Sequence, residues 1–358
     1  MNIYTCRQWM DDLDAIIETL PELHDLTGQR VLVTGATGLV CSALADIFIR
    51  FNEINSRPIE IYAAGRSTRR IHARFREFAG KSYFHCVEYD ATNPSFEFPI
   101  DMDYIIHGAS VSSPDHLLLE PVETMLSNIG GIHALLDFSI KHGHPRLLFI
   151  SSSEVYGKRE KDEPYKESQY GYVDLLNVRN AYATGKRAAE AMCISYAEEY
   201  GADVVIARPG HVFGPTAKPD DMHVSSSWMR AAVKKEPIIL KSAGNQLRSY
   251  CYCLDVSAAI IKVLLRGENR HAYNISSADS VISLRKMAEI IAEIAGVQLI
   301  SSSATAKEKD QFNPMNHSEL DGSALQAIGW KASFPIKIGI ERTFKMIREM
   351  MEGKVCLP

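Results

Sequence analysis

Long apolar runs are missing from this sequence of 358 residues. No stretch approaches the ~18 consecutive apolar residues of a spanning helix, so no membrane partner is expected. The opening residues, MNIYTCRQWMDDLDAI, carry three aspartates where a secretory leader needs an apolar core. Cysteine is sparse and irregular: 7 thiols without repeated spacing argue against a disulfide scaffold and point to a reducing, cytoplasmic setting. Charge of one sign is lacking too, since 39 basic against 44 acidic residues leave only −5, which speaks against nucleic acid as the partner. There is no internal repeat and no low-complexity tract. What is present, 46% hydrophobic and 23% charged residues, is ordinary for a folded chain, and the length suits two lobes.

Residues 1–27 read as a prelude. Trp9, Leu13, Ile16, Ile17 and Leu20 recur at helical spacing and Pro21 closes the helix. Because its polar face is acidic, the apolar stripe is expected to pack on the body of the protein rather than on a membrane. A different rhythm follows. Short apolar strands at Arg30–Thr34, Ile59–Ala64, Tyr83–Tyr89, Tyr104–His107, Leu147–Ser151 and Val204–Ala207 alternate with helical stretches, notably Val122–Ile140 and Ala181–Tyr200. Such alternation predicts an α/β fold with a doubly wound parallel sheet over residues 28–210. Beyond that, helices near Ser225–Lys235, Val256–Leu265 and Leu284–Ala295 separated by short strands predict a smaller, partly helical lobe over 211–358. The stretch Lys158–Glu167 reads as a solvated loop.

The first strand runs into Gly35-Ala36-Thr37-Gly38-Leu39-Val40, which then continues as a helix. Glycines there let the backbone turn sharply and approach a pyrophosphate, and the helix start presents N–H groups to it. This is the dinucleotide cradle of a Rossmann-type sheet. Cys41 stands where a third small residue is expected and reads as a packing variant. The second strand ends in Ala64-Gly65-Arg66-Ser67, with Arg69 and Arg70 following, where an acid would hold a plain ribose. An arginine in that place favours a 2′-phosphate and hence NADP; the alternative is a set of solvated surface arginines. Asp90 and Ala91 close the third strand near the expected adenine, and Gly108-Ala109-Ser110 ends the fourth with small residues beside the cofactor ribose.

Tyr182 and Lys186 are four apart on a predicted helix and face one way. With 15 tyrosines in the chain the spacing alone proves little. Its placement decides: it follows a fifth strand that ends in Ser151-Ser152-Ser153-Glu154. A phenol titrating near ~10 is a poor base at neutral pH, but an adjacent ammonium lowers that value. Lys186 can also hold the nicotinamide ribose, Ser152 can orient the substrate oxygen, and Tyr182 can take the hydroxyl proton as hydride leaves.

These motifs resemble the extended short-chain dehydrogenases/reductases of the NAD-dependent nucleotide-sugar epimerase/dehydratase family over roughly residues 28 to 345. The likeness rests on Thr34-Gly35-Ala36-Thr37-Gly38, His107-Gly108-Ala109-Ser110, Ser152-Ser153-Glu154-Val155-Tyr156-Gly157, Tyr182-x-x-x-Lys186, Arg208-Pro209-Gly210-His211-Val212-Phe213-Gly214-Pro215 and Arg248-Ser249-Tyr250-x-Tyr252-x-x-Asp255. It implies a bound NAD(P), with NAD the family habit, a nucleotide-sugar substrate and a homodimer formed beside the Tyr182 helix. It also implies Pro209 at the cofactor, Ser112, His211 and Arg248 at the substrate, and Glu154 as a base or ring-handling group. The family's 4,6-dehydratases carry an Asp where Ser153 stands, so that leaving-group acid is absent. Ser-Glu at this place, and Ala109-Ser110-Val111-Ser112-Ser113-Pro114, are similar to UDP-glucuronate decarboxylases. Leu126 in place of a lysine and His211 in place of an asparagine depart from them, so 4-epimerisation, dehydration or 4-keto reduction stay open. A catalytically silent nucleotide-sugar sensor is the rival outside enzymology. His211 reads equally as a hydrogen-bonded histidine beside the cleft. Cys251-x-Cys253, expected on one strand with both sulfurs on one side, lacks the further ligands a metal needs, and no metal is expected.

Overall fold

The computed structural model describes residues 2–352 apart from 94–97, 99, 113, 306, 307, 309–311, 314 and 316. Trp9, Leu13 and Ile16 are all fully buried, so the helix they predict, α1 (Arg7–Glu18), lies with its apolar stripe against the body of the protein. It stops short of Pro21: the Thr19 hydroxyl donates to the Ile16 carbonyl at 2.7 Å, and the proline opens a separate 3-10 turn, Pro21–Leu26. Polar bonds stitch this segment on both sides. Arg50 forks onto Asp14 at 2.7 and 2.9 Å, while fully buried Asp12 pairs with Arg342 and accepts from Tyr252 at 3.3 Å.

Alternation then sets in as expected: β1 (Arg30–Thr34), α2 (Leu39–Ile54), β2 (Glu60–Gly65), α3 (Thr68–Arg74), β3 (Phe84–Glu88), β4 (Tyr104–His107), α4 (Pro114–Leu119), α5 (Pro121–Lys141), β5 (Arg146–Ile150), α6 (Ala181–Tyr200) and β6 (Val204–Pro209). Further along lie β7 (His211–Phe213), α7 (Val224–Val233), β8 (Ile238–Leu240), β9 (Leu247–Tyr252), α8 (Cys253–Arg266) and β10 (Ala272–Ile275). After them come β11 (Val281–Ser283), α9 (Leu284–Ala295), β12 (Leu299–Ser301), β13 (His317–Ser318), α10 (Ser323–Ala327) and α11 (Ile336–Glu352).

Seven strands pair in the order β10-β6-β5-β4-β1-β2-β3, every pairing parallel. Successive side chains on a strand point to opposite faces. Val31 and Val33 therefore enter one apolar core with α2 and α8, and Leu32 enters a second with α5 and α6. Covering both faces is what makes these strands read as near-continuous apolar runs. The strand order reverses between β1 and β4, and the crevice outside their carboxyl ends is where such sheets bind ligands.

In the second lobe β9 pairs with β7, β11 and β13, while β8 pairs with β12. Residues 253–275 return to the first sheet: α8 packs on α2 and β10 extends the sheet beyond β6. Two readings change. Cys251 lies in β9 but Cys253 is the first residue of α8, so the two sulfurs do not share a strand face. The loop 158–167 is solvated over most of its length, at 158, 160–164 and 166, but not throughout. Tyr165 is buried and donates to the Gly157 carbonyl at 2.7 Å, and Glu167 accepts from the Asn274 N–H at 2.9 Å, because an aromatic and an acid there have partners on β10 and its neighbours. No helix among the described residues is long and apolar enough to cross a membrane.

Since Trp9 is wholly enclosed between α1 and the main core, Trp9→Ala should cost about 3–5 kcal/mol of folding stability. Urea unfolding of the two proteins measures it.

Candidate active site

The cradle follows from the backbone. Gly35 has φ 71°, and a Cβ on it would lie 2.8 Å from the Gly108 carbonyl oxygen and 2.9 Å from the Ala109 nitrogen. Only glycine allows β1 to turn this tightly against the end of β4. The Gly38 N–H closes the turn onto the Gly35 carbonyl at 2.8 Å, with half-buried Thr37 between them; Leu39 and Val40 then begin α2. The first turn of a helix leaves N–H groups without intrahelical partners. A pyrophosphate fits this arrangement of close backbone and helix start. Cys41 is buried with its thiol pushed up to about 12 by burial, and a Cβ on Gly108 would lie 2.4 Å from its sulfur, so it fills space rather than reacts.

Thr34 organises the end of β4. Its Oγ1 accepts from the Gly108 and Ala109 N–H groups, each at 3.2 Å, and lies 2.8 Å from His107 Nδ1. With its lone pairs so engaged, the single hydroxyl proton goes to Nδ1, which leaves the imidazole proton on Nε2. Burial holds His107 down at about 3, with Lys186 adding to the effect, so it stays neutral. Ser110 donates to Asn128 of α5 at 3.0 Å. Asp90 accepts from the Thr92 N–H and hydroxyl at 3.0 and 2.9 Å, while Ala91 is buried against Gly131. Arg66, Arg69 and Arg70 are exposed just past β2. Lys218, from the second lobe, is lowered by burial and by Arg70 and Arg66, so these cations gather at one corner. Pro209 ends β6, buried.

Ser152, Glu154, Tyr182 and Lys186 come together past the end of β5. Ser152 precedes a 3-10 turn, Ser153–Tyr156, and its Oγ accepts from the Glu154 N–H at 3.2 Å and bonds the Tyr182 hydroxyl. Lys186 lies one turn along α6 from Tyr182, its Nζ 5.8 Å from the phenol ring centroid and donating to the Ile150 carbonyl at 2.8 Å. Burial lowers this ammonium to about 7. One expectation is reversed: the Tyr182 phenol is raised, not lowered. Burial dominates, the Glu154 carboxylate adds to it, and the Ser152 hydroxyl and the Arg179 guanidinium pull back. Arg179 forks onto Glu154, and Asn313 donates to the same carboxylate at 3.3 Å.

His211 and Arg248 reach this neighbourhood from β7 and β9. Burial brings His211 to about 3, helped by Arg248, His223 and Arg179, and its Nδ1 has no partner among the described residues. Arg248, buried, donates to the Met315 carbonyl at 2.7 Å and senses Glu154. Ser112 is exposed, in the stretch that follows β4.

Sequence reasoning passed over Arg179 and Asn313. Arg179 stands three residues before Tyr182, a spacing that puts it beside the phenol one tight turn earlier, and that was the available signal. Asn313 left none. Among the described residues no His, Cys, Asp or Glu cluster is arranged to hold a metal.

A parallel sheet with a glycine cradle at its switch point, and a Tyr–Lys pair on the helix beside it, defines the class of dinucleotide-dependent short-chain oxidoreductases. More narrowly, the family model for the NAD dependent epimerase/dehydratase family matches residues 31–276, and the chain is an enzyme of that family. It is similar to UDP-glucuronic acid decarboxylase 6 of Arabidopsis thaliana, 28% identical over 316 residues, 88% of this chain and 87% of that one. UDP-glucuronic acid decarboxylase 1 of Xenopus tropicalis is 27% identical over 331 residues, 92% of this chain and 75% of that one. Among solved structures, UDP-glucose 4-epimerase of Thermotoga maritima shares the fold with a TM-score of 0.75 at 21% identity, covering 90% of this chain and 99% of its own.

Gly35→Ala would drive a methyl into rigid backbone at a positive φ. It should lower NAD(P) affinity at least about tenfold, read by ligand fluorescence titration, a loss of ~1.4 kcal/mol or more.

Proposed function

We propose that this enzyme oxidises the C4 hydroxyl of a nucleotide sugar with a bound nicotinamide dinucleotide and processes the resulting 4-keto sugar by UDP-glucuronate decarboxylase-like chemistry. The observation that carries this reading is the meeting of Ser152, Tyr182 and Glu154 past β5, beside the glycine cradle. The names of the Arabidopsis and Xenopus relatives support it.

When bound, the dinucleotide supplies the hydride acceptor and donor. The chain's own residues do the rest. Ser152 Oγ orients the sugar hydroxyl, Tyr182 Oη takes its proton, and Lys186 Nζ holds the nicotinamide ribose and favours the phenolate. A ketone at C4 then accepts the electron pair of the breaking C5–carboxylate bond as CO2 departs, and the enolate so formed takes a proton at C5 from water. Glu154 handles the ring, with His211 and Ser112 at the sugar, and Arg248 faces the diphosphate.

One observation favours a second reading, 4-epimerisation or reduction without loss of carbon. Leu126, apolar and half-exposed on α5, leaves no lysine there for a substrate carboxylate. Incubation with UDP-glucuronate and mass spectrometry of the product separates the cases. Loss of CO2 supports decarboxylation, and loss of water indicates dehydration. Unchanged mass with altered stereochemistry indicates epimerisation, and an untouched sugar on cofactor-loaded protein indicates a sensor. Tyr182→Phe should lower turnover by about 10²–10⁴-fold, and undiminished turnover overturns the proton-acceptor role.

For the cofactor, we infer a preference for NADP. Arg66 and Arg70, with Lys218 beside them, concentrate positive charge where a 2′-phosphate would sit. Arg66→Ala should weaken NADPH binding about tenfold while leaving NADH binding nearly unchanged. Titrating both nucleotides by fluorescence tests this, and equal losses for the two count against it.

A further inference from the structure

Glu154 and Arg179 come from two 3-10 turns and both act on the Tyr182 phenol. Glu154 lies in Ser153–Tyr156, after β5, and Arg179 in Val178–Asn180, which leads directly into α6. The guanidinium takes the carboxylate as a fork, Nη1 to Oε2 at 3.0 Å and Nη2 to Oε1 at 2.9 Å. Side-chain exposure is only 7% for Arg179 and 18% for Glu154, so solvent screens the pair weakly. Charge-assisted forks of this kind fix both partners in angle as well as distance.

We propose that Arg179 is a positioning residue: it holds Glu154 by both oxygens and offsets that carboxylate's charge beside the Tyr182 phenol. The proposal rests on Tyr182 being the proton acceptor. A phenol that must pass through its anion is opposed by a bare carboxylate and helped by a guanidinium. The structure has both at the same place, acting on Tyr182 in opposite directions. The other groups facing this cluster are Ser152 from the same turn, Lys186 from α6, and His211 and Arg248 from β7 and β9. His211 feels Arg179 and Arg248 feels Glu154, so the fork sets the charge balance of the whole cluster. Asn313 steadies one carboxylate oxygen without adding charge.

The pair therefore has a signature that simple structural support lacks. Neutralising Arg179 exposes the phenol to the carboxylate alone and raises its titration midpoint. Neutralising Glu154 leaves the guanidinium alone and lowers it. Neutralising both returns it toward the original value.

The test is a 13Cζ-tyrosine NMR titration of the NADP-loaded protein, with the Tyr182 signal assigned by its loss in Tyr182→Phe. Glu154→Gln should titrate at least about one pH unit below Arg179→Gln, a tenfold difference in phenolate at a given pH, with the double variant between them. Arg179→Lys, which keeps the charge but loses the fork, should hold the midpoint near that of the unaltered protein while turnover falls. It also serves if Arg179→Gln does not fold, because Glu154→Gln must then lie below it. Equal midpoints, or a Glu154→Gln phenol that stays protonated to high pH, overturn the proposal. Failure of the underlying reading looks different: Tyr182→Phe would turn over normally whatever the titrations show.

Discussion

Arg208 holds α6 to the sheet. This arginine lies fully buried in β6, and all its donor hydrogens have acceptors. Nε and Nη2 fork onto Glu190 of α6 at 2.9 and 2.6 Å, Nη1 reaches the Tyr156 hydroxyl at 2.9 Å and the Glu167 carbonyl at 2.8 Å, and Nη2 also reaches Tyr170 at 2.7 Å. A buried charge is tolerated only when so completely paired. One guanidinium thus fixes three things at once: the rotation of α6, the turn that carries Glu154, and the loop that follows. Glu190 is one helical turn beyond Lys186, and Lys186 one turn beyond Tyr182. The ion pair therefore sets which way the Tyr–Lys face points.

The two guanidinium–carboxylate forks of this region make an instructive contrast. Arg208–Glu190 is sealed in the core, and Tyr156, which shares it, donates its own hydrogen bond to Asn274 Oδ1 of β10, so the network joins the sheet's last strand to α6. Arg179–Glu154 is more exposed and lies within electrostatic reach of a titrating phenol. Depth decides the difference. A pair closed on every side can only hold the fold, whereas one at the cleft edge also tunes its neighbours.

Much of this was legible in the sequence because it is local. Strands buried on both faces announce themselves as apolar runs, and the Gly35–Gly38 turn depends on residues within one connection. Tyr182 and Lys186 share a helix face by spacing alone. What escaped notice is held by contacts between distant segments. Arg179 and Glu154 are 25 residues apart, and Asn313 and Glu154 are 159 apart, with no periodicity to join them. Cys251 and Cys253 misled because a strand-like pattern runs across the start of α8, where the chain changes from alternating to helical geometry at Tyr252. The direction of the Tyr182 shift was misjudged for a related reason. Spacing identifies Lys186 as a neighbour but cannot show that its ammonium is turned to the Ile150 carbonyl, or that burial and Glu154 raise the phenol.

The connection between the lobes bears directly on the cleft. Past β7 the chain folds back over the start of α2, where the Thr216 hydroxyl donates to the Leu39 carbonyl at 2.8 Å and Ser257 of α8 to the Val40 carbonyl at 3.2 Å. These bonds fasten the segment past β7, and α8, to the start of α2. The same loop carries Lys218 to the arginines beyond β2. The end of the cleft near Arg66 and Arg70 is consequently walled from both sides, while its other end is framed by Arg248 and His211 from β9 and β7. A shift of the second lobe must therefore be felt at both ends of the cleft, since the strand that carries Arg248 is paired with the strand that leads into Thr216.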